Sequence, residues 1–365
     1  MVQELQNRGT RQRMREGLMM IGRRRFLNLA GAAMASPAVI RDAFAQTPQV
    51  TLKLHHFLSP VANAHTRLLV PWARRVEKES DNRIRINIFP SMQLGGSPAQ
   101  LYDQARDGFA DIVWTLPGAT PGRFPKIEVF ELPFVANRRA VANAQAVQAL
   151  YEAQLRDEFK EVQPICLWAH DHGVIHASKQ VKSFEDMKGL KLRSPTRLAG
   201  EALKALGANG IQMPVTLVAD ALSQKAIDGC IAPWEVVPAI KVQEAVKFHT
   251  DFAASPTFYT ATFILAMNKR RYDSLPADLK KIIDQNSGQA AALMAGRMWD
   301  ERALVVEDMV TKRGNTVTQI ESAEAARWQK ATQPVIDAWL KSSKSINGDK
   351  LLADARALLT KYDKA

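Results

Sequence analysis

The side chains able to do chemistry are few, and an arginine leads them. Arg193 closes the run Lys191-Leu192-Arg193 and is followed by Ser194-Pro195-Thr196. A guanidinium presents paired coplanar donors that fit a carboxylate, and it keeps its charge when water is removed. The hydroxyls of Ser194 and Thr196, with the amides of a helix starting after them, would add donors for an anion. The alternative is a surface arginine paired with a nearby acid, and the residues alone leave both open. His56 and Phe57 end a first β-rich run, and Leu116 follows Trp114-Thr115. Strand ends of this kind face the cleft in α/β folds, so all three are candidate contacts from one side. A structural histidine is the competing reading of His56. From the other side come His172, Trp234, Phe258 and Tyr259, with core packing as the alternative for Trp234.

Other constellations are weaker. Neighbours on a strand point to opposite faces, so neither His170-Asp171-His172 nor His55-His56 converges on one ion. No metal or cofactor is expected. No G-x-S-x-G elbow, H-E-x-x-H helix, C-x-x-C pair or phosphate-binding glycine loop is present. Binding therefore outranks catalysis, and an exported lyase or hydrolase acting in a cleft is the rival.

A chain of 365 residues, 46% apolar and 24% charged, suits two globular domains. Eight arginines against three acids in the first 45 residues account for five of the +12 net charge, leaving +7. The remaining basic residues are scattered among acids, without the concentrated basic face that nucleic acid requires. After residue 50 no apolar run reaches the ~18–20 residues that cross a bilayer, so no membrane insertion is expected. Cys166 and Cys230 sit in apolar surroundings and read as buried free thiols.

Residues 1–45 read as an export signal. Arg23-Arg24-Arg25-Phe26-Leu27 precedes the apolar stretch Leu29 to Ala35, and Ala43-Phe44-Ala45 is a small-x-small exit. The paired arginines followed by Phe-Leu predict the twin-arginine route, cleavage after Ala45 and a periplasmic mature chain. Met19 or Met20 is a second candidate start.

The rest must position the site. Strands are predicted at 50–56, 83–89, 110–115, within 162–176, at 188–193, 227–231 and within 257–266. Helices are predicted at 64–80, 97–106, 198–206, 219–225, 277–285, 288–312, 323–342 and 350–362. Strands that return after an intervening lobe suggest two interleaved α/β domains with a cleft between them.

Six segments in order carry a family resemblance: Phe89 to Gly95, Gly108 to Ile112, Phe124 to Phe134, Asp186 to Arg193, Leu222 to Gly229, and Met267 to Pro276. Together they resemble the solute-binding proteins of TRAP (tripartite ATP-independent periplasmic) transporters, the DctP family. The resemblance implies a two-lobed periplasmic-binding-protein fold (type II-like), with interleaved lobes joined by crossing strands and a long helix bridging both. Lobe I is expected at 46–170 plus about 260–300, and lobe II at 171–259 plus about 301–365. It further implies a monomer that closes on a small carboxylate gripped by Arg193 and delivers it to the small and large permease subunits. A receptor that feeds a sensor kinase is the second rival. Gly173 stands where sialic-acid-type members carry a second arginine, and Ala232-Pro233 where they carry Asn-Pro, so a sugar acid is not expected. The Glu-Trp pair of cation-assisted members is here reversed as Trp234-Glu235. A branched 2-oxo or 2-hydroxy acid, or an aromatic acid, is the expected ligand.

Overall fold

In chain order the strands are β1 (Val50–His56), β2 (Ile84–Phe89), β3 (Ile112–Thr115), β4 (Val162–Ala169), β5 (Val174–Ala177), β6 (Lys191–Ser194), β7 (Asn209–Gln212), β8 (Gly229–Ala232), β9 (Phe248–Phe252), β10 (Thr262–Asn268) and β11 (Thr316–Ile320). They belong to a computed structural model that describes residues 47–364. The expected export signal and its cleavage site lie outside the described residues.

Alternation makes the first strands. Val50, Leu52, Ile84 and Ile86 are buried while Thr51 and Arg85 between them are exposed, the period-two pattern of a sheet covered on one face. The strands form two sheets, ordered β2-β1-β3-β10-β4 and β11-β9-β5-β8-β6-β7. Most pairs are parallel; β10 runs antiparallel to β3 and β4, and β5 antiparallel to β8 and β9. Each of these two is the first strand laid down after the chain crosses between sheets. The outward crossing takes only His170 to Gly173, and the return runs from Phe252 to Thr262. The lobes are interleaved.

The helix Gly288–Lys312 spans them. It packs against helix Ala140–Leu150 and β4 of the first lobe, and against Trp234–Val236 and β11 of the second. Gly296 allows the closest approach: a Cβ there would lie 2.7 Å from Val141 Cα. Four residues on, Asp300 accepts the Ala140 and Val141 amides at 2.5 and 3.1 Å, satisfying donors that a helix start leaves open. One boundary needs correction. Helix Ser322–Ser342 packs on Arg197–Ala205 of the second lobe, but the final helix, Gly348–Asp363, lies against Ala140–Leu150 of the first. Asn137 donates to Leu359 O and Gln154 to Asp354 across this contact, so the tail does not belong wholly to lobe II. Cys166 and Cys230 are buried free thiols. Among the described residues no helix is long and apolar enough to cross a membrane.

Candidate ligand cleft

A cavity of about 370 Å³ lies between the two sheets, within the size range of small-molecule sites. The ends of β1 and β3 supply Phe57, Leu58, Trp114 and Leu116. The second lobe supplies Arg193 from β6 and Ala232-Pro233 from the end of β8. The crossings add His170, Tyr259 and Ala261, and the bridging helix adds Trp299.

Among the described residues Arg193 is the only arginine or lysine on this wall, and it is 5% exposed. Its Nε donates to Met213 O at 2.9 Å and its Nη1 to Ile231 O at 3.2 Å. Among the described residues no carboxylate forms a salt bridge with it. Burial pulls its pKa down, since a desolvated cation without an anion is held at a cost. Two carbonyls fix the plane of the guanidinium, and among the described residues Nη2 has no hydrogen-bond partner. An anion placed at Nη2 would supply the missing charge. Thr196 does not join it: its hydroxyl accepts the Ala199 amide at 3.5 Å and caps helix Arg197–Ala205.

Tyr259 lies directly over Gly173, where a Cβ would fall 1.9 Å from the phenol ring. The phenol hydroxyl has no partner among the described residues. His170 is fixed from behind, because Asn143 and Thr260 both donate to its carbonyl, at 2.8 and 3.0 Å. Its Nδ1 donates to Asp171 O at 2.8 Å, which leaves Nε2 as the acceptor of a neutral ring. Burial pushes its pKa down to about 3. The remaining wall includes four aromatic rings among aliphatic side chains and prolines. Trp114 stacks on Phe57 at 4.8 Å, and Phe263 lies 5.5 Å from Trp114 and 5.4 Å from Trp299.

Of the residues predicted from sequence, Arg193, Phe57, Leu116 and Tyr259 meet at this cavity, and four others do not. His56 is fully buried, its Nε2 2.9 Å from His65 Nδ1. Trp234 packs against His176 and His249, with 5.2 Å between centroids in each case, while Pro233 and Glu235 beside it reach the cavity. Phe258 belongs to a cluster with Phe252, Phe134 and Trp328. His172 turns away to Asp251, 3.2 Å from its Nε2, which Arg138 also grips through two 3.0 Å bonds. Sequence reasoning missed His170, Trp114, Phe263, Trp299 and Glu235. Only Trp114 left a signal, two residues before Leu116 and so on the same strand face.

The displaced His172 carries a pH prediction. Burial pulls its imidazole down, but the Asp171 and Asp251 carboxylates outweigh it and push it up to about 9. A raised histidine stabilises fully below its unfolded pKa of about 6.5 and loses that contribution as pH climbs through the folded value. The stability advantage of wild type over His172→Gln should therefore shrink as pH rises from 6.5 to 9. Urea melts of both proteins at the two pH values check this; a constant difference contradicts it.

Two α/β lobes closing on an anion-seeking, aromatic-walled cavity define a solute receptor of the two-lobed binding-protein class. The model of the bacterial extracellular solute-binding proteins, family 7 (DctP), matches residues 54–342, and the chain belongs to that family. It is a solute-binding receptor of a TRAP transporter, a system in which the receptor works with membrane permease subunits. A TRAP solute-binding protein from Rhodoferax ferrireducens T118, in complex with copurified benzoate, superposes with a TM-score of 0.83 at 44% identity, over 86% of this chain and 98% of that one. A marine metagenome TRAP protein specific for aromatic acid ligands, in complex with 3-hydroxybenzoate, gives 0.85 at 39% identity, over 87% and 100%. The C4-dicarboxylate-binding periplasmic protein DctP of Rhodobacter capsulatus is 22% identical, over 87% of this chain and 94% of that one.

Proposed function

We propose that the ligand is an aromatic monocarboxylate, its carboxylate on Arg193 and its ring against Trp114, Phe57 and Phe263. The observation that carries this reading is a buried guanidinium without an acid partner, opening onto an aromatic wall. The benzoate and 3-hydroxybenzoate held by relatives at 44% and 39% identity support it. Tyr259 fills the space above Gly173, which disfavours the sugar acids that need a second arginine there. We also propose that the chain is exported by the twin-arginine route, is cleaved after Ala45, and acts as a monomer that returns its ligand unchanged rather than as a lyase or hydrolase.

Burying a ring in place of a short aliphatic chain is worth roughly 1.5–3 kcal/mol, or about 10- to 100-fold in affinity. Calorimetry should therefore place benzoate or 3-hydroxybenzoate at least ~10-fold tighter than pyruvate, 2-oxoisovalerate or succinate. An aliphatic acid that binds more tightly overturns the reading. Recovery of altered ligand after incubation would point instead to the enzyme.

A further inference from the structure

A second ionisable group lies on the cavity wall. Glu235 follows β8, is 2% exposed and lines the cavity. Its Oε1 accepts the Ala64 amide at 2.9 Å, and its own carbonyl accepts Asn63 Nδ2 at 2.8 Å. Both partners belong to the first lobe, so the side chain is fixed in place. Oε2 has no protein donor among the described residues. Burial pushes this carboxyl up to about 7, opposed by the Ala64 amide and Arg302. Among the described residues Glu235 forms no salt bridge with Arg193.

We propose that Glu235 reads the part of the ligand remote from its carboxylate: it accepts a hydrogen bond from a ring hydroxyl or amino group and turns away a second anion. The assignment rests on the aromatic-monocarboxylate reading and sharpens it. A carboxylate offers only acceptor lone pairs. A phenol or aniline therefore matches it, and an unsubstituted ring leaves Oε2 unpaired. A second ligand carboxylate would place like charges together in a dry site, the arrangement most penalised at desolvated interfaces.

The test is calorimetry at pH 8.5, where Glu235 is ionised, of wild type and Glu235→Gln with benzoate, 3- and 4-aminobenzoate, isophthalate and terephthalate. Glutamine keeps the oxygen that Ala64 needs and removes the charge. In wild type the better aminobenzoate should bind ~10-fold tighter than benzoate. Both dicarboxylates should bind at least ~100-fold more weakly than benzoate. In Glu235→Gln, measured against benzoate in the same variant, the amino advantage should vanish and the dicarboxylate penalty should shrink by ~10-fold or more. If the variant shifts every ligand by one common factor, Glu235 is only a structural tie between lobes and the proposal is overturned. Wild type that fails to rank the ligands in this order overturns it without any variant. Wild type that binds none of them but takes an aliphatic acid defeats the aromatic reading itself, and this assignment with it.

Discussion

Arg193→Ala is expected to weaken benzoate binding by ~100-fold or more, about 3 kcal/mol, because truncating one partner of a buried charge pair costs 2–5 kcal/mol. The same residue should behave oppositely in the empty protein. Without ligand the guanidinium is buried on two carbonyl bonds and no counterion. Arg193→Met removes that unpaired charge and keeps much of the volume, so the ligand-free melting temperature should equal or exceed that of wild type. Ligand-induced stabilisation should disappear in the same variant. Arg193→Lys should also bind poorly, since one ammonium cannot serve Met213 O, Ile231 O and a carboxylate in a single plane. Thermal melts with and without benzoate read all of these together. Undiminished ligand stabilisation in Arg193→Ala would contradict the assignment.

Gly173→Ala should be the most damaging one-carbon change at the site. The added Cβ would sit 1.9 Å from the Tyr259 ring, a distance that no side-chain relaxation absorbs while the phenol stays in place. Tyr259 must leave the cavity wall, at an overpacking cost of about 1–3 kcal/mol, and benzoate affinity should fall at least ~10-fold. The clash is specific to one pair, so Gly173→Ala combined with Tyr259→Ala should cost less stability than the two single changes added together. Additive losses in a urea-melt cycle would show that the ring is not what the methyl group meets.

Much of the frame was legible because its signals are local. β1 and β2 alternate cleanly, and helices Ala277–Gln285 and Gly288–Lys312 fall where Pro276 and the apolar spacing predict. Helix Ala140–Leu150 left no such signal. It is covered by β4, the bridging helix and the final helix, so alanines lie on every side, Asn143 and Gln148 are buried among them, and its period is erased. β9 was hidden for the opposite reason. His249, Thr250 and Asp251 look like loop residues, yet all are buried, their polar atoms met by His176, Val181 O and Arg138.

The site shows the same limit at finer scale. Sequence identified the segments that reach the cleft but not which of two neighbours faces it. Phe57 lines the cavity and His56 does not; the same holds for Tyr259 against Phe258, and for Pro233 and Glu235 against Trp234. Adjacent residues of an extended chain point to opposite sides, so a one-residue ambiguity in register exchanges ligand wall for core. Arg193 escaped this ambiguity because its neighbours Leu192 and Ser194 offered no competing charge.

The complex with 3-hydroxybenzoate, solved by crystallography, puts the account to its most direct trial. The carboxylate should lie within hydrogen-bond distance of Arg193 Nη2, with the ring against Trp114 and Phe263 and the hydroxyl toward Glu235. A carboxylate seated away from Arg193, or a ring outside the space between the two sheets, would contradict it.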